Sequence, residues 1–482
     1  MKNKCGAHRK ALVWFRRDLR LNDNRCLQEA LGLGMEIIPV FVWNPWEGGE
    51  WSIGEASRWW LHRALESLDK RIAEKRGELI FKMGPAESVI PQLAQELKVD
   101  NVFFSKAYEP VGMRTQDLVE SKLQEKGIGF QSFNNSLLNE PWAILNGSGK
   151  AFQVFTPYWR KAKPEVRPRE LTLEEKRLVF AKRGSNKLGL DQIGILPKSQ
   201  WHEKLKTHWD VSESGARKLI DRIPREIVPG YSHRRNKPYI DGTSRLSPYL
   251  AWGLVSPRPL HSILGQVNEP ETNRAGSKFL AEIGWREFSH QLLFHFPSST
   301  DHPLREKYRR FPWRKNDDEL RKWQRGQTGY PLVDAGMRQL WATGWMHNRV
   351  RMVVASFLVK HLLLPWQTGS KWFWQTLVDA DLASNTQGWQ WTAGCGADAA
   401  PYFRVFNPIG QGEKFDSSGA YVRKWVPELE RLPAKWIHQP WNAPSGELDL
   451  AKVQLGKNYP LPMVEHREAR HRALAALATL KR

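Results

Sequence analysis

The stretch ALVWFRRDLRLNDN, residues 11–24, sets the fold class of the first part of the chain. The run Ala11–Phe15 is short and wholly apolar, which is typical of a strand buried on both faces of a parallel sheet. Polar residues follow it at the carboxyl end of the strand. Open α/β sheets bind their ligands at that edge. The stretch therefore predicts an α/β domain at the start of the chain.

Four further apolar runs follow, and amphipathic segments separate most of them. The runs are Ile37–Trp43, Glu78–Met83, Asn101–Ser105 and Phe130–Phe133. The predicted helices are Gly54–Lys75, Ala86–Leu97 and Gly112–Lys126. This alternation predicts a doubly wound, five-stranded parallel sheet with helices on both faces. No strand is followed by GxGxxG, and GxxxxGK[ST] is absent, so the usual phosphate-binding loops are missing from the sequence.

The rest of the chain has two different characters. Prolines and basic residues interrupt the periodicity over residues 136–209, which predicts a long connecting segment. Apolar residues then recur at helical spacing, in segments that include Asn348–Leu364 and Lys371–Asn385. We expect an α/β domain over residues 9–135, a linker over 136–209 and an all-α domain over 210–482. A basic amphipathic helix ends the chain and is expected to dock on its own domain.

The composition favours a globular protein that binds a polyanion. The chain has 482 residues and a formal charge of +22, an excess that usually answers nucleic acid; a diffusely basic surface is the alternative. The 24 tryptophans are unusual, although core packing accounts for most of them. The 3 cysteines lie far apart, and no apolar run reaches the roughly 18 residues of a membrane helix. These features predict a cytoplasmic, nucleoid-associated location, with no membrane or metal site and no signal segment.

The segment TSRLSPYLAWG, residues 243–253, predicts the start of a helix. The polar side chains at this start are those of Thr243, Ser244, Arg245 and Ser247. Exposed N–H groups at a helix N-terminus attract an anion such as a phosphate. Tyr231 and a basic run lie just upstream and can close over the same anion. Ordinary capping of the helix by Ser or Thr is the alternative interpretation.

A second motif is NRVRM, within a predicted apolar helix. Arg349 and Met352 share one face at i to i+3 spacing, whereas Arg351 points elsewhere. An unpaired charge in such a helix is costly, so Arg351 needs a partner, and Asp379 or Asp381 can supply it. We expect a pair with Asp379, which is either functional or purely structural. Paired aspartates also occur in glycosidases and Mg²⁺ sites, but neither accounts for the nearby tryptophans.

The tryptophans around residue 390 suggest a groove. Trp389 and Trp391 are two residues apart, so one can face inward while the other faces a groove. Such a groove would combine Trp391 with Trp285. Its other members would be Met352, Glu282 and a rim of arginines. It would stack nucleic-acid bases and hydrogen-bond one of them, which implies that the base is flipped out of the duplex. Core packing is the alternative for each single tryptophan.

These pieces together match a known family. The matching motifs are FRRDLRLNDN, GEASRWWL, DGTSRLSPYLAWGLVSPR, WREF, GYPLVDAGMRQLWATGWMHNRVRMVVASFLVK, LLLPW, DADLASNTQGWQWTAGCGADAAPYFRVFNP and QGEKFD. Over nearly its whole length the sequence resembles the photolyase/cryptochrome flavoproteins. The resemblance implies an α/β domain, a connector and a helical domain that holds FAD bent into a U.

The resemblance also assigns flavin contacts. Asn385 matches the position that faces the reactive nitrogen of the flavin, and asparagine there fits a reduced, anionic FAD. Asp379 is expected to pair with Arg351 beside the flavin ring, and Asp381 to contact the flavin. The positions that match the binding site for the FAD phosphates and ribityl chain are Tyr231, Thr243, Ser244, Arg245, Leu246 and Ser247. The two carboxylates then tune a flavin and take no part in hydrolysis.

By the same resemblance the aromatic residues separate into two groups. Trp389, Trp366 and Trp313 match an electron-hopping chain that runs from the flavin to the surface. Trp285 and Trp391 match the pair that sandwiches a flipped pyrimidine dimer. The other implied contacts are Glu282, Met352 and Asn348 in the lesion pocket, and Arg235, Arg349 and Arg404 at the DNA backbone.

The implied activity is that of a deoxyribodipyrimidine photo-lyase acting on UV-damaged DNA. Excited reduced FAD passes an electron to a cyclobutane pyrimidine dimer, the dimer splits, and the electron returns. A blue-light receptor with the same fold is the alternative, and a repair enzyme that prefers single-stranded DNA is a third. The motifs SRWWL, YEP and NEPW resemble the plant-cryptochrome branch and its class III photolyase relatives. The lack of a long tail after the helical domain favours repair.

The resemblance further implies a monomer with an antenna chromophore at the α/β domain. Tyr108 and Glu109 lie where some family members bind methenyltetrahydrofolate, and we expect this folate. A deazaflavin is the alternative.

Overall fold

The computed structural model describes residues 9–167, 177–181, 188–265, 270–399 and 403–481, so part of the predicted linker lies outside the described residues. The chain divides into two compact units. The first comprises Met1–Ala151, Pro157–Glu226 and Ser244–Pro297, and the second comprises Phe152–Thr156, Ile227–Thr243 and Ser298–Arg482. The predicted domain boundaries, 9–135, 136–209 and 210–482, stay predictions.

Five parallel strands form one sheet in the first unit, in the order β3-β2-β1-β4-β5. The strands are β1 (Lys10–Phe15), β2 (Glu36–Trp43), β3 (Ile80–Met83), β4 (Asn101–Ser105) and β5 (Gly129–Phe133). Central strand β1 pairs on both sides, with Leu12 opposite Ile38 of β2 and Val102 of β4. The predicted strands and the predicted fold class are confirmed.

The helices alternate with the strands at first and then dominate the described chain. In chain order they begin with α1 (Arg25–Gly32), α2 (Glu55–Glu74), α3 (Ala86–Glu96), α4 (Pro110–Glu125), α5 (Phe155–Ala162), α6 (Glu213–Arg222), α7 (Tyr231–Arg234), α8 (Ser247–Ala251), α9 (Pro257–Gly265) and α10 (Pro270–His295). They continue with α11 (Asp317–Arg325), α12 (Pro331–Thr343), α13 (Asn348–Ser356), α14 (Trp366–Thr376), α15 (Leu382–Ala393), α16 (Pro408–Phe415), α17 (Ala420–Trp425), α18 (Ser445–Leu450) and α19 (His466–Ala478).

Successive side chains of a strand point to opposite faces of the sheet. Along the central strand β1 the side chains on both faces are buried. Leu12 and Trp14 of β1 point to one face, where they share a core with Ile90 of α3 and Val119 of α4. Helix α1 packs on β1 and its neighbours and contributes buried residues that lie outside this core, so helices cover the sheet from two sides. Burial on both faces explains why the strands read as continuous apolar runs.

A buried arginine holds the loop that follows β1. The Arg20 side chain is almost fully buried. Its guanidinium donates hydrogen bonds to the backbone oxygens of Gly253 at 2.9 Å, Asp23 at 2.7 Å and Asn135 at 2.8 Å. These oxygens belong to the β1 loop itself, to the chain after β5 and to the turn after α8. One side chain therefore joins three segments of the first unit that are distant in sequence.

Replacement of Arg20 by methionine should destabilise the first unit. Three buried carbonyl oxygens would lose a donor, and each such loss costs about 1–3 kcal/mol. We expect the free energy of unfolding, measured by urea denaturation, to fall by about 3 kcal/mol or more. Arg217, whose side chain is 74% exposed, is the control; Arg217→Met should change that free energy by less than about 0.5 kcal/mol. Equal stability of the two variants would contradict the role of Arg20.

The terminal helix α19 docks within the second unit, as the sequence predicts. His466 Nδ1 lies 2.9 Å from His361 Nε2, and Arg472 donates a hydrogen bond to the backbone oxygen of His361 at 2.6 Å. His361 closes a π-helical turn, Phe357–His361, and its ring stacks on Phe357 with centroids 4.9 Å apart. Burial, and after it the proximity of His466, lowers the pKa of His361 to about 3.

This docking should weaken in acid. The pKa of His361 is about 3 in the folded protein but about 6.5 in an unfolded chain, so the unfolded chain binds the proton more tightly. Stability from this contact is complete above about pH 6.5 and falls as the pH drops towards 3, by up to about 1.4 kcal/mol per pH unit. Urea denaturation at about pH 7 and about pH 5 measures the loss, which should be smaller in His361→Phe because phenylalanine does not titrate. The same pH dependence in both proteins would refute this assignment.

Candidate functional site

The two aspartates of the candidate site lie in a turn between α14 and α15. The sequence predicts one helix over Lys371–Asn385, and this prediction is wrong because Leu377 ends α14 in an extended conformation, with φ −90° and ψ 132°. Asp381 is the N-cap of α15, and its carboxylate accepts a hydrogen bond from the Ser384 N–H at 2.7 Å. The break leaves both aspartates buried. Apolar residues keep helical spacing across the turn, so periodicity could not show it.

Asp379 pairs with Arg351, as the sequence predicts. Arg351 Nη2 lies 2.8 Å from Asp379 Oδ2, and the carboxylate side chain is only 2% exposed. Arg351 Nε also donates to the backbone oxygen of Met346 at 2.7 Å. A lone charge buried this deeply would cost several kcal/mol, by the order of magnitude known for broken buried pairs. The ion pair therefore holds a fixed positive and a fixed negative charge in the interior of the second unit.

The side-chain amide of Asn385 is fixed from one side. Its nitrogen donates hydrogen bonds to the Ser370 hydroxyl at 2.9 Å and to the Ser370 carbonyl at 3.1 Å. The amide oxygen therefore points away from Ser370 and is an acceptor for another group. No sequence pattern marks Ser370, which is a buried serine on the neighbouring helix α14.

The indole of Trp389 lies against α14 at Gly369. Trp389 is 2% exposed, and the rings of Phe373 and Trp323 meet it edge-on with centroids at 5.0 Å and 6.2 Å. A Cβ atom at position 369 would overlap this indole. Trp366, also buried, lies one helical turn before Gly369 on the same face of α14. The glycine thus lets Trp389 approach the helix that carries Trp366, a role that the sequence did not reveal.

The third predicted member of the electron chain, Trp313, lies closer to solvent. It is partly exposed, and its ring centroid lies 4.4 Å from that of Phe311. All three tryptophans belong to the second unit, with Trp389 and Trp366 buried and Trp313 at the surface. This order of burial fits a path from interior to surface; the electron transfer itself stays a prediction.

Trp391 and Arg404 stand together at a small pocket in the second unit. The Arg404 guanidinium carbon lies 5.5 Å from the centroid of the Trp391 ring, a cation–π distance. The residues that line the pocket are Trp391, Thr392, Gly394, Asp398, Ala399, Arg404 and Phe406. Asn348, at the start of α13, is exposed. We call this cavity the Trp391 pocket.

Arg349 joins α13 to the segment around residue 235. Its Nη1 lies 3.8 Å from the sulfur of Met352, which confirms the shared helix face that the sequence predicts. Its Nη2 donates to Asn236 Oδ1 at 2.8 Å. Next to Asn236, the Arg235 guanidinium lies 5.4 Å from the ring centroid of the buried Tyr231. The structure thus brings together the predicted residues of two separate motifs through Asn236, which the sequence did not single out.

Two other predicted residues lie on α10 in the first unit. Glu282 and Trp285 are one helical turn apart and so share a helix face. The Trp285 ring meets Phe288 edge-on, with centroids 5.8 Å apart.

The predicted anion-binding segment also belongs largely to the first unit, except for Thr243. Helix α8 begins at Ser247, and its N-cap residue, Leu246, makes no side-chain cap hydrogen bond. The Ser244 hydroxyl instead accepts a hydrogen bond from the Leu246 N–H at 3.4 Å, and Arg245 takes a left-handed conformation with φ 52°. Whether these hydroxyls bind an anion or cap the helix stays a prediction.

The described ranges are 9–167, 177–181, 188–265, 270–399 and 403–481. Over those ranges no helix is long and apolar enough to cross a membrane. Nor do His, Cys, Asp and Glu side chains gather there in groups that could hold a metal ion.

Known proteins match the chain from end to end. A family model described as DNA photolyase matches residues 11–176, and one described as the FAD binding domain of DNA photolyase matches residues 279–479. The deoxyribodipyrimidine photo-lyase of Agrobacterium fabrum is 44% identical, over 98% of this chain and 98% of its own length. Cryptochrome-2 of Arabidopsis thaliana is 38% identical, over 98% of this chain and 79% of its own. A bacterial class III photolyase from Agrobacterium tumefaciens has a similar crystal structure, with a TM-score of 0.94, 43% identity and 99% coverage of both chains.

These matches define the class as an FAD-binding protein with a photolyase-type sheet domain. The chain belongs to the photolyase/cryptochrome family. The predicted family and fold class are confirmed, and the predicted enzyme class agrees with the photolyase relatives.

Substitution of Gly369 tests the contact that places Trp389. Gly369→Ala should lower the free energy of unfolding by about 1–3 kcal/mol, because the added methyl group overlaps the indole in a packed core. Gly388→Ala on α15 is the matched control; an added Cβ there meets nothing within 4 Å, so the higher helix propensity of alanine should stabilise the protein by up to about 1 kcal/mol. Urea denaturation measures both. Equal changes at the two glycines would contradict the close approach at Gly369.

Proposed function

We propose that this protein is a light-driven lyase that repairs cyclobutane pyrimidine dimers in DNA. The observation that carries the proposal is the Arg404 guanidinium 5.5 Å from the Trp391 ring at the edge of a pocket. An aromatic face stacks nucleic-acid bases, and a cation beside it contacts the phosphate backbone. The formal charge of +22 supports a polyanionic substrate. The photolyase relatives are named for action on deoxyribodipyrimidine.

The residues present fit both parts of FAD, the flavin ring and the phosphates with the ribityl chain. In the second unit, the Arg351–Asp379 pair, Asp381 and the Asn385 amide offer the fixed charges and hydrogen-bonding groups that the polar edge of a flavin ring requires. Tyr231 and the hydroxyl-rich segment from Thr243 to Ser247 would hold the phosphates and the ribityl chain. The residues of that segment are Thr243, Ser244, Arg245, Leu246 and Ser247.

When bound, reduced and excited by light, FAD supplies the electron that opens the cyclobutane ring and accepts it back after the ring has split. The residues of the chain prepare this step. Ser370 holds the Asn385 amide by its nitrogen, so the amide oxygen would be available to accept a hydrogen bond from a protonated ring nitrogen and would favour the reduced flavin. Trp389, Trp366 and Trp313 would relay electrons that bring the flavin to this state.

The lesion would be held by stacking and by polar contacts. Trp391 and Trp285 would each stack on the flipped dimer, and Glu282 would hydrogen-bond it. The residues that would line the pocket or contact the DNA backbone are Met352, Asn348, Arg235, Arg349 and Arg404. No side chain acts as a nucleophile, because the bond rearrangement follows the electron.

The protein with reduced FAD should restore intact thymines in an oligonucleotide that carries one thymine dimer, under blue light and not in the dark. Trp391→Ala should weaken dimer binding by roughly 5- to 150-fold, because base–aromatic stacking is worth about 1–3 kcal/mol, and should leave FAD photoreduction unchanged. Trp389→Phe should have the reverse effect: photoreduction slows, while chemically reduced protein still repairs. Chromatography of the digested oligonucleotide measures repair, and the flavin absorbance measures photoreduction.

Duplex and single-stranded substrates belong in the same experiment, since the strand preference separates two of the candidate activities. If fully reduced, flavin-loaded protein repairs neither substrate, the repair proposal falls. A blue-light receptor then becomes the better proposal, and the likeness to Cryptochrome-2 over 98% of this chain favours it as the second candidate.

We also propose methenyltetrahydrofolate as the antenna, with a deazaflavin as the alternative. The Tyr108 hydroxyl donates a hydrogen bond to Glu140 Oε2 at 2.7 Å, and Glu109 forms an ion pair with Arg17 at 3.8 Å, so both residues are fixed at one edge of the first unit. The monomeric state and the nucleoid-associated, cytoplasmic location stay predictions.

A further inference from the structure

Lys360 is a buried cation that the repair proposal does not use. It lies in the π-helical turn Phe357–His361, directly after α13, and is 1% exposed. The sequence predicts helical character over Asn348–Leu364, and the structure has a π-helical turn within this segment. A buried ammonium requires partners, because an unpaired one is costly. Its contacts therefore indicate what it holds.

The first contact of Lys360 is with the end of α15. Its Nζ donates a hydrogen bond to the backbone oxygen of Ala393 at 2.7 Å. Ala393 is the last residue of α15, and Gly394 then turns the chain away with φ 91°. Carbonyl groups at a helix C-terminus have no partner within the helix and carry a partial negative charge, so a cation binds them well.

The second contact is with the segment that follows the loop after α15. Lys360 Nζ lies 2.9 Å from the ring centroid of Phe403, a cation–π contact at short range. Close by, the Ser356 hydroxyl, one helical turn before Lys360, accepts a hydrogen bond from the Phe406 N–H at 3.2 Å. Ser356 at the end of α13 and Lys360 in the π-helical turn thus contact both the end of α15 and the segment 403–406.

Both of these elements carry residues that line the Trp391 pocket. Trp391 lies two residues before Ala393, on α15, while Arg404 directly follows Phe403. Arg404 and Phe406 line the pocket together with Trp391. The Lys360 ammonium therefore contacts Ala393, two residues after Trp391, and Phe403, the residue before Arg404.

We propose that Lys360 is a positioning residue of the Trp391 pocket. Its charge holds Trp391 and Arg404 at a fixed separation. The inference rests on the proposed function, in which this pocket receives the dimer. Without the charge the helix end and the Phe403 segment lose their common partner, and the pocket no longer matches the lesion. The loss should fall on selectivity for damaged DNA, because the contacts of Lys360 are with the residues beside Trp391 and Arg404.

Among the described residues, the thiol of Cys395 influences the charge of Lys360. Burial lowers the pKa of Lys360 well below its ordinary value, and the nearby Cys395 opposes this shift. Burial also raises the pKa of Cys395 to about 12, so this thiol is neutral at ordinary pH. Tyr308, whose pKa burial raises, and Arg305 are the other titratable or charged groups that influence Cys395 and its surroundings. The charged contacts of Lys360 with Ala393 and Phe403 are thus present at low pH and are lost as the pH rises through the lowered pKa of Lys360.

The experiment compares Lys360→Met and Lys360→Arg with wild-type protein loaded with FAD. Binding of a thymine-dimer oligonucleotide is measured against the undamaged oligonucleotide of the same sequence, together with repair, FAD content and photoreduction. We expect Lys360→Met to lose about tenfold in selectivity for the dimer, the size of effect that a charged hydrogen bond and a cation–π contact give. FAD content, photoreduction and affinity for undamaged DNA should stay unchanged. Lys360→Arg should keep part of the selectivity, because it keeps the positive charge. Lys322 is exposed, so the control variant Lys322→Met should keep all of it.

A pH series separates positioning from mere stability. Selectivity of the wild type should decline towards alkaline pH, whereas Lys360→Met should lack this decline. If Lys360→Met does not fold, Phe403→Leu decides instead, since it removes the aromatic partner and keeps an apolar side chain; it should show the same loss of selectivity. Full selectivity in either variant overturns the inference, as does a fall in selectivity that merely parallels loss of FAD.

These measurements distinguish failure of the repair proposal from failure of the inference about Lys360. If wild-type protein neither repairs the dimer nor prefers it, the repair proposal fails and the role of Lys360 falls with it. If the wild type repairs and prefers the dimer while Lys360→Met and Phe403→Leu do so equally well, only the inference about Lys360 fails.

Discussion

A positive charge buried inside a protein needs hydrogen-bond acceptors or an opposite charge within a few ångströms, because an unpaired buried charge is costly. Both units of this protein contain such a charge, and each charge meets this need. In the first unit Arg20 meets it with three backbone carbonyls from separate segments. In the second unit Arg351 meets it with Asp379 and the backbone of Met346. Lys360 meets it with the end of α15 and an aromatic ring. Each buried cation thereby contacts elements that are distant in sequence, and loss of one partner would leave an uncompensated buried charge.

The interruption between α14 and α15 has the greatest effect on the chemistry of the second unit. It lets Asp381 cap one helix while Asp379 turns inward to Arg351. Because α15 starts afresh, its residues acquire a register of their own against α14. That register sets Asn385 beside Ser370 and the Trp389 indole beside Gly369. The acidic turn and the indole array are consequences of a single break in the helix.

Much of this could be read from the sequence, and the reasons for the exceptions are physical. Continuous apolar runs predicted the central strands β1, β2 and β4, because strands inside a parallel sheet are buried on both faces. The Arg351–Asp379 pair followed from the cost of an unpaired charge. The break at Leu377 did not follow, because helical periodicity runs through it and no glycine or proline marks it.

The residues that escaped prediction act through neighbours that are distant in sequence. Gly369 matters only because an indole from another helix approaches it, and Ser370 only because an amide does. Lys360 looks like a surface residue until its helix widens into a π turn and buries it. Such roles depend on how helices meet, which composition and spacing along one helix do not record. The family resemblance supplied the roles of the motif residues but pointed to none of these three.

The π-helical turn Phe357–His361 has an evolutionary consequence. A π turn holds one residue more than the α-helical turn it replaces, so removal of that residue would rotate everything after it by about 100°. Two neighbours in this turn face different partners, Lys360 the end of α15 and His361 the terminal helix. A change in the length of this turn would move both residues away from these partners. Descendants of this gene can therefore exchange side chains here more easily than they can change the length of the segment, and insertions or deletions should accumulate elsewhere.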